Sequence, residues 1–88
     1  MELVKRTVIV FWFTHIFLRR IGKRYPEFFN SWIADVTDSR IQRRVMALRY
    51  TGDTPMTFET IALELGISPR RVFEHHKKVI DRLVSDAL

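Results

Sequence analysis

The chain has 88 residues, of which 15 are Lys or Arg and 10 are Asp or Glu, so its net charge is +5. This length allows one domain with one hydrophobic core and leaves little room for a catalytic cleft, and the 47% apolar content excludes a disordered chain. Cysteine is absent, which excludes disulfides and cysteine-based metal sites and fits a cytoplasmic protein, while the basic charge favours an anionic partner such as nucleic acid or an anionic membrane.

The first segment, residues 3–21, contains an apolar run from Thr7 to Leu18 between basic flanks. A signal peptide has such flanks, but here basic residues follow where a small-residue cleavage site is expected. A membrane span needs about 20 apolar residues, and this run is shorter and contains His15. The stretch "TVIVF" is also typical of a strand, but the length and the lack of an internal turn signal favour a helix. Because this helix is apolar almost all round, we expect it to be largely buried.

The second segment, "PEFFNSWIADV" at residues 26–36, has the pattern of a helix. Pro26 and Glu27 suit a first helical turn, where the missing proline N–H has no intrahelical acceptor and a carboxylate favours the helix dipole. Apolar residues then recur at helical spacing, at Phe28, Phe29, Trp32, Ile33 and Val36.

The third segment, "RIQRRVMALRY" at residues 40–50, predicts a helix with an apolar stripe and many arginines. Ser39 and Gln42 before it stand at capping-box spacing. We expect some of its arginines to reach a DNA backbone and others to pair with Asp35, Asp38 or Glu64. The polar stretch "TGDTPM" that follows predicts a loop.

The last segment predicts two helices joined by a tight turn. Thr57 caps a helix over residues 58–65, and Gly66 ends it. Ser68 and Pro69 then begin a helix that runs to about residue 85. Two helices joined by about three residues around a glycine form a helix-turn-helix. The whole sequence therefore predicts an all-α domain of about five helices, with a helix-turn-helix at its C-terminal end.

The fifth predicted helix has the residues needed to read base edges. In a helix-turn-helix the second helix enters the major groove and its N-terminal residues meet the bases. Arg70 and Arg71 can each donate two hydrogen bonds to guanine, and Glu74 can accept one from cytosine. Glu74 can instead pair with a neighbouring basic residue one turn away. We expect double-stranded DNA contacts from Thr57, Ser68, Arg70, Arg71, Glu74, His75, Lys77 and Lys78.

The remaining members of this set are expected to hold phosphates. Lys77 and Lys78 lie one turn beyond the arginines, where ammonium groups reach the DNA backbone. Backbone N–H groups beside Thr57 and Ser68 lie at helix N-termini, where the helix dipole favours an anion.

His75 and His76 are adjacent in the fifth predicted helix. Their side chains point about 100° apart, so they cannot chelate a metal ion as an i,i+4 pair does. We expect one of them to pack inward and the other to contact phosphate, and the sequence leaves open which one does so. The chain has no visible nucleophile–base pair, phosphate loop or metal-ligand set, so we expect no enzyme activity and no cofactor.

The stretch "RIQRRVMALRYTGDTPMTFETIALELGISPRRV" resembles region four of bacterial sigma factors, in which a helix ending in Leu-Arg-Tyr precedes a polar loop and a helix-turn-helix. "GISPRRVFEHHKKVIDRL" is also similar to the LuxR/FixJ-type response-regulator domain, in which Ser-Pro-Arg opens the recognition helix and a histidine follows. The positions that match the sigma pattern are Leu48, Arg49, Tyr50, Thr57, Ile61, Ala62, Leu65, Gly66, Ile67, Ser68 and Val72.

Together these resemblances cover about residues 38–84. They imply a helical domain without a wing that binds DNA and regulates transcription. They also imply an alternative, in which the domain binds RNA polymerase or another regulator. Phe73 and His75 depart from the sigma pattern, where a polar DNA-facing residue and an apolar core residue are usual.

The predicted organisation is a single domain over residues 1–88, with the helix-turn-helix part at 38–86. Residues 1–36 supply more apolar surface than a short helix pair can hide, which predicts a homodimer or partner interface there. A basic cluster is also found near the end of the first segment, at Arg19, Arg20, Lys23 and Arg24. Three roles are open for this cluster. It adds contacts to DNA phosphates, it contacts an anionic membrane, or it only keeps the end of the apolar segment soluble. The main prediction has no membrane partner, and a second alternative is a membrane-associated regulator anchored by residues 1–24.

Overall fold

The computed structural model describes the backbone of residues 2–87 and the side chains of residues 7–86. These residues form five helices and no strand, which confirms the predicted all-α class. Residues 1 and 88 of the predicted domain lie outside the described residues. The helices are α1 (Glu2–Trp12 and Leu18–Arg24 as α-helix, with Phe13–Phe17 as a π-helical turn between them), α2 (Pro26–Val36), α3 (Arg40–Tyr50), α4 (Phe58–Leu65) and α5 (Pro69–Ala87).

The predicted caps begin and end these helices. Thr57 Oγ1 accepts from the N–H of Thr60 at 3.1 Å at the start of α4. Ser68 Oγ accepts from the N–H of Arg71 at 3.2 Å at the start of α5. Gly66 ends α4 with a φ of 69°, a left-handed conformation that glycine adopts without steric cost. Local residue choice therefore sets the bounds of the helix-turn-helix.

The cap of α3 differs in part from the predicted capping box. Ser39 Oγ accepts from the N–H of Gln42 at 3.3 Å, as expected. The reciprocal bond is absent among the described residues, since Thr37 Oγ1 donates to Gln42 Oε1 at 2.7 Å and accepts from the Ser39 N–H at 3.1 Å. Thr37 is buried at this corner, so its hydroxyl lies between the two groups that a capping box would join directly.

The prediction that α1 is largely buried was wrong. Phe13 and Leu18 are buried, but Val8 is 61% exposed and Phe11 60% exposed. Trp12 and Ile16, on the same side, are also exposed. The reason is that α1 packs on the other helices through one side only, and no further layer among the described residues covers its outer side. No helix in the described part of the chain has the length and apolar character needed to cross a bilayer.

The structure also corrects the prediction for Phe28 in α2. This residue belongs to the predicted apolar stripe, but it is 63% exposed. Phe29, Ile33 and Val36 are buried and Trp32 is half-buried. The apolar stripe of α2 is wider than the surface that α1, α3 and α5 offer it. Phe28 lies at the edge of the stripe, about 100° from Phe29.

Two groups of buried residues hold the helices together. The larger core joins α1, α2, α3 and the second half of α5, with Leu18, Phe29, Met46 and Val84 fully buried. The smaller core lies inside the helix-turn-helix and consists of Val45, Ile61, Ala62 and Val72. Because α3 and α5 contribute to both cores, these two helices connect the N-terminal half of the molecule to the helix-turn-helix.

Candidate nucleic-acid interface

The turn between α4 and α5 fixes the angle between these helices. Beyond Gly66, the N–H of Ile67 donates to the carbonyl oxygen of Ala62 at 3.1 Å, which closes the end of α4. Ile61 and Val72 meet in the smaller core with 0% of their surface exposed. The inner side of α5 is thus held at Val72, and the opposite side of its first turns faces solvent.

The exposed leading end of α5 carries three of the residues predicted to read bases. The side chain of Arg70 is 88% exposed and that of Glu74 is 54% exposed. Arg71 is also exposed. Arg70 Nε lies 3.4 Å from Glu74 Oε1, an exposed i,i+4 ion pair of the kind that contributes only about 0.3–0.5 kcal/mol. Such a pair can open at little cost, so both side chains can turn towards a ligand.

Lys77 and Lys78, predicted together, are both exposed on α5, about 100° apart around the helix. Lys78 is exposed on the outer side with the arginines. Lys77 Nζ donates to Asp81 Oδ2 at 2.8 Å. Lys77 also lines a groove of about 370 Å³ between α1 and α5, together with Phe73 and His76. Both lysines are therefore available to a ligand on the exposed side of α5, with Lys77 already joined to Asp81.

His76 is the histidine that packs inward. Its Nε2 lies 2.6 Å from the hydroxyl of Tyr50, and the two rings stack with centroids 5.7 Å apart. Burial, followed by the nearby charges of Arg49 and His15, lowers the pKa of His76 to about 4. Burial also raises the pKa of Tyr50 to about 12. Both groups are therefore neutral at neutral pH, and they tie α5 to α3 without a buried charge.

His75 is half-buried at the edge of the outer side of α5. Its Nδ1 lies 3.3 Å from Gln42 Nε2, which acts as the donor when the imidazole is neutral. Desolvation, followed by the positive charges of Arg71 and Lys78, lowers the pKa of His75. A neutral imidazole joined to α3 contributes no full charge to a phosphate contact at neutral pH.

The hydroxyl groups of Thr57 and Ser68 serve as helix caps. Both residues are exposed, and each hydroxyl accepts from one N–H in the first turn of its helix. The other N–H groups of a first turn have no intrahelical acceptor. These two helix starts therefore keep backbone donors for phosphate even though the side chains are used for capping.

Sequence reasoning missed Thr60 at the start of α4. Thr60 is exposed, and its Oγ1 lies 2.9 Å from Thr57 Oγ1. The two hydroxyls therefore form one polar group at this helix start. The i,i+3 spacing of the two threonines is the signal that would have found it.

The arginines of α3 divide into structural and exposed members, and of the expected acidic partners only Asp38 is met among the described side chains, with Arg43 Nη2 3.9 Å from its Oδ1. Arg43 donates to the carbonyl oxygens of Thr37 at 2.8 Å and Ala34 at 3.2 Å, at the C-terminal end of α2. Arg49 Nη1 donates to Met56 O at 2.6 Å, and its guanidinium lies over the Phe58 ring. Two others, Arg40 and Arg44, are exposed.

Comparison with protein-family models matches residues 39–84 to "Sigma-70, region 4". The matched residues make up just over half of the chain and contain α3, α4 and most of α5. No significant match was found among curated proteins or among solved structures.

Proposed function

Because the chain belongs to the sigma-70 region 4 family, whose domains bind DNA and RNA polymerase, we propose that it is a sequence-specific double-stranded DNA-binding protein that regulates transcription. The observation that carries this proposal is the exposed leading end of α5, where Arg70 is 88% exposed beside Arg71. The family match confirms the resemblance to region four of sigma factors that was found in the sequence. The LuxR-type domain, which the sequence also resembles, is a related helix-turn-helix.

In the proposed complex, α5 lies in the major groove with its first two turns at the base edges. Arg70 and Arg71 supply forked donors for guanine, and Glu74 supplies an acceptor once its pair with Arg70 opens. Lys78 and the helix starts at Thr57 and Ser68 hold backbone phosphates. Packing of Val72 against α4 keeps α5 at a fixed angle, so the contacts act together.

Base contacts and phosphate contacts are expected to respond differently to substitution. Arg70→Ala should weaken the preferred duplex by about 1–3 kcal/mol and relax the preference at one base pair. Lys78→Ala should weaken binding to all duplexes alike and reduce the salt slope by about 1. The measurement is duplex affinity over a panel of sequences and a salt series.

Arg82→Ala is the matched control, because Arg82 is an exposed arginine of the same helix far from its leading end. Arg82→Ala should leave the preference for particular base pairs unchanged. Uniform effects of the Arg70 and Lys78 substitutions over the panel would contradict this division of roles. A wild-type salt slope near zero would contradict DNA binding itself.

A second candidate function is binding of RNA polymerase or another regulator, and two exposed apolar residues favour it. Leu63 on α4 is 85% exposed and Phe73 on α5 is 51% exposed. Contiguous exposed apolar groups are typical of interaction surfaces, and Phe73 adjoins Phe58 of α4, with ring centroids 6.2 Å apart. A binding assay with purified RNA polymerase should then show weaker capture of Leu63→Ser, with duplex affinity unchanged. Equal capture of both proteins would count against this role for Leu63.

We also propose a homodimer or partner contact through residues 1–36 and a cytoplasmic location. Support for the contact comes from the exposed apolar side of α1 around Phe11 and Trp12, and from the exposed Phe28 of α2. Sedimentation velocity of the wild type and Phe11→Ser tests it. A monomeric wild type at all concentrations would rule out the dimer.

A further inference from the structure

A cleft of about 190 Å³ lies between the C-terminal end of α1 and the loop that follows α3. Three cationic side chains line it, Arg19 and Lys23 from α1 and Arg49 from α3. Gly52 and one carboxylate, Asp53, line it on the loop side. No ion pair joins Asp53 to these cations within the described side chains. The cleft therefore has an excess of positive charge, and it lies outside the proposed base-reading set.

The position of the cleft depends on a close contact between α1 and α3. Gly22 packs directly on the backbone of Tyr50, and a Cβ built on it would lie 2.8 Å from the carbonyl carbon of Tyr50 and 2.9 Å from its Cβ. Arg19 lies almost one turn before Gly22, and Lys23 follows it directly. The glycine contact thus places the backbone of both cations close to the end of α3.

Arg19 carries a hydrogen-bond donor for which the described part of the chain offers no acceptor. Its Nε is buried, and no described residue supplies an acceptor for it. Leaving a buried donor without an acceptor costs about 1–3 kcal/mol, and more for a charged group. An anionic oxygen in the cleft removes this cost once the Arg19 side chain turns its guanidinium towards the ligand.

Arg49 has donors left for the same ligand. It uses Nη1 for Met56 O and places its guanidinium 5.1 Å from the centroid of the Phe58 ring. A guanidinium has five N–H donors, so others remain after this bond. The stacking on Phe58 fixes its plane, which reduces the entropy lost when it binds.

We propose that this cleft binds a phosphate group, with Arg19 and Arg49 as hydrogen-bond donors and Lys23 as the third positive charge. Guanidinium groups match the oxygens of a phosphate with parallel charge-assisted hydrogen bonds. Gly52 allows a ligand to approach the loop backbone because it has no side chain. The phosphate is that of a small phosphorylated molecule or that of the DNA backbone, and the two sources share this chemistry.

The test is a titration of the intact ¹⁵N-labelled protein with inorganic phosphate at constant ionic strength, followed by NMR. We expect saturable shifts of the Arg19 Nε–H and the Gly52 amide, with a Kd of about 1 mM or tighter. Arg19→Gln should weaken the affinity at least about tenfold, as for the loss of a hydrogen bond between charged partners. Lys23→Gln changes an exposed side chain and should weaken it severalfold without affecting the fold.

Arg24→Gln is the matched control, because Arg24 is an exposed cation of the same helix that does not line the cleft. It should change the affinity less than twofold. Asp53→Asn should strengthen binding by removing a like charge. The proposal is overturned if no saturable shift occurs, or if Arg24→Gln weakens binding as much as Arg19→Gln. A third result would also overturn it. If Asp53→Asn shifts the NMR signal of the Arg19 Nε–H while phosphate does not, Asp53 is the acceptor of this N–H.

Duplex affinity of Arg19→Gln distinguishes the two sources of phosphate. If the salt dependence of duplex affinity is the same in Arg19→Gln and the wild type, the cleft binds a small phosphorylated molecule. A slope reduced by about 0.9 assigns it to the DNA backbone. The phosphate titration needs no DNA, so a wild-type protein that fails to bind any duplex would refute the proposed function and leave this result intact.

Discussion

Acidification from pH 7 to pH 5 is expected to destabilise the fold through His76. This imidazole packs between α3 and α5, where the groups facing it are Tyr50 and Arg49 from α3 and His15 from α1. Its pKa falls from 6.5 to about 4 because burial and the neighbouring positive charges oppose protonation. Between pH 6.5 and about pH 4 the unfolded chain therefore binds a proton that the folded protein does not bind.

The size of the effect follows from the difference between the two pKa values. The contribution of neutral His76 to the free energy of unfolding is fully present above pH 6.5. It decreases as the pH falls, and it is lost once the pH is below about 4. Linkage gives a loss of about 2 kcal/mol at pH 5 and about 3 kcal/mol at pH 4. For a small domain a loss of about 2 kcal/mol is a large fraction of the free energy of unfolding.

The assay is urea denaturation followed by circular dichroism at pH 7, 6 and 5. His76→Gln keeps a neutral group beside Tyr50 and removes the titration, so its stability should fall much less over this interval. His15→Gln removes one of the smaller causes of the lowered pKa of His76 and should reduce the loss only slightly, because the burial of His76 is unchanged. The pKa of His75 is also lowered, so the His76→Gln profile retains a slope of the same sign. Parallel profiles for the wild type and His76→Gln between pH 7 and pH 5 would refute the reasoning.

Two further substitutions test the packing and the caps. Gly22→Ala should cost at least about 2 kcal/mol, because its Cβ meets the rigid backbone of Tyr50 and overpacking outweighs the gain in helix propensity. Gly52→Ala, whose Cβ meets only a carbonyl oxygen at 3.5 Å, should change the urea midpoint little, and equal midpoints for the two variants would contradict the close contact. Thr57→Ala should cost about 1 kcal/mol by removing the cap of Thr60 N–H. An unchanged thermal midpoint would show that another group replaces the cap.

The helix-turn-helix was predictable because its signals are local. Thr57, Gly66 and Ser68 act on backbone groups within four residues of themselves, so the cap at each helix end can be read directly from the sequence. The periodicity of Ile61 and Val72 likewise placed them in the core between α4 and α5.

The exposure of α1 was not predictable in the same way. An apolar helix is buried only where other helices of the chain reach it, and the width of that contact depends on their arrangement. Phe13 meets the core while Phe11 and Trp12 do not, although all three are aromatic and adjacent. Composition describes what a side chain favours, whereas the packing of α2, α3 and α5 decides which side of α1 is covered.

The amino-acid sequence by itself determined the helical class, the helix bounds at the caps, and the family to which residues 39–84 belong. Only the tertiary structure decided that His76 meets Tyr50 while His75 meets Gln42, and that Arg19 comes to lie beside Arg49. The physical reason is range. Caps and turns join residues a few positions apart, whereas a helix turns about 100° per residue, so which side chain faces a distant partner depends on how the helices pack.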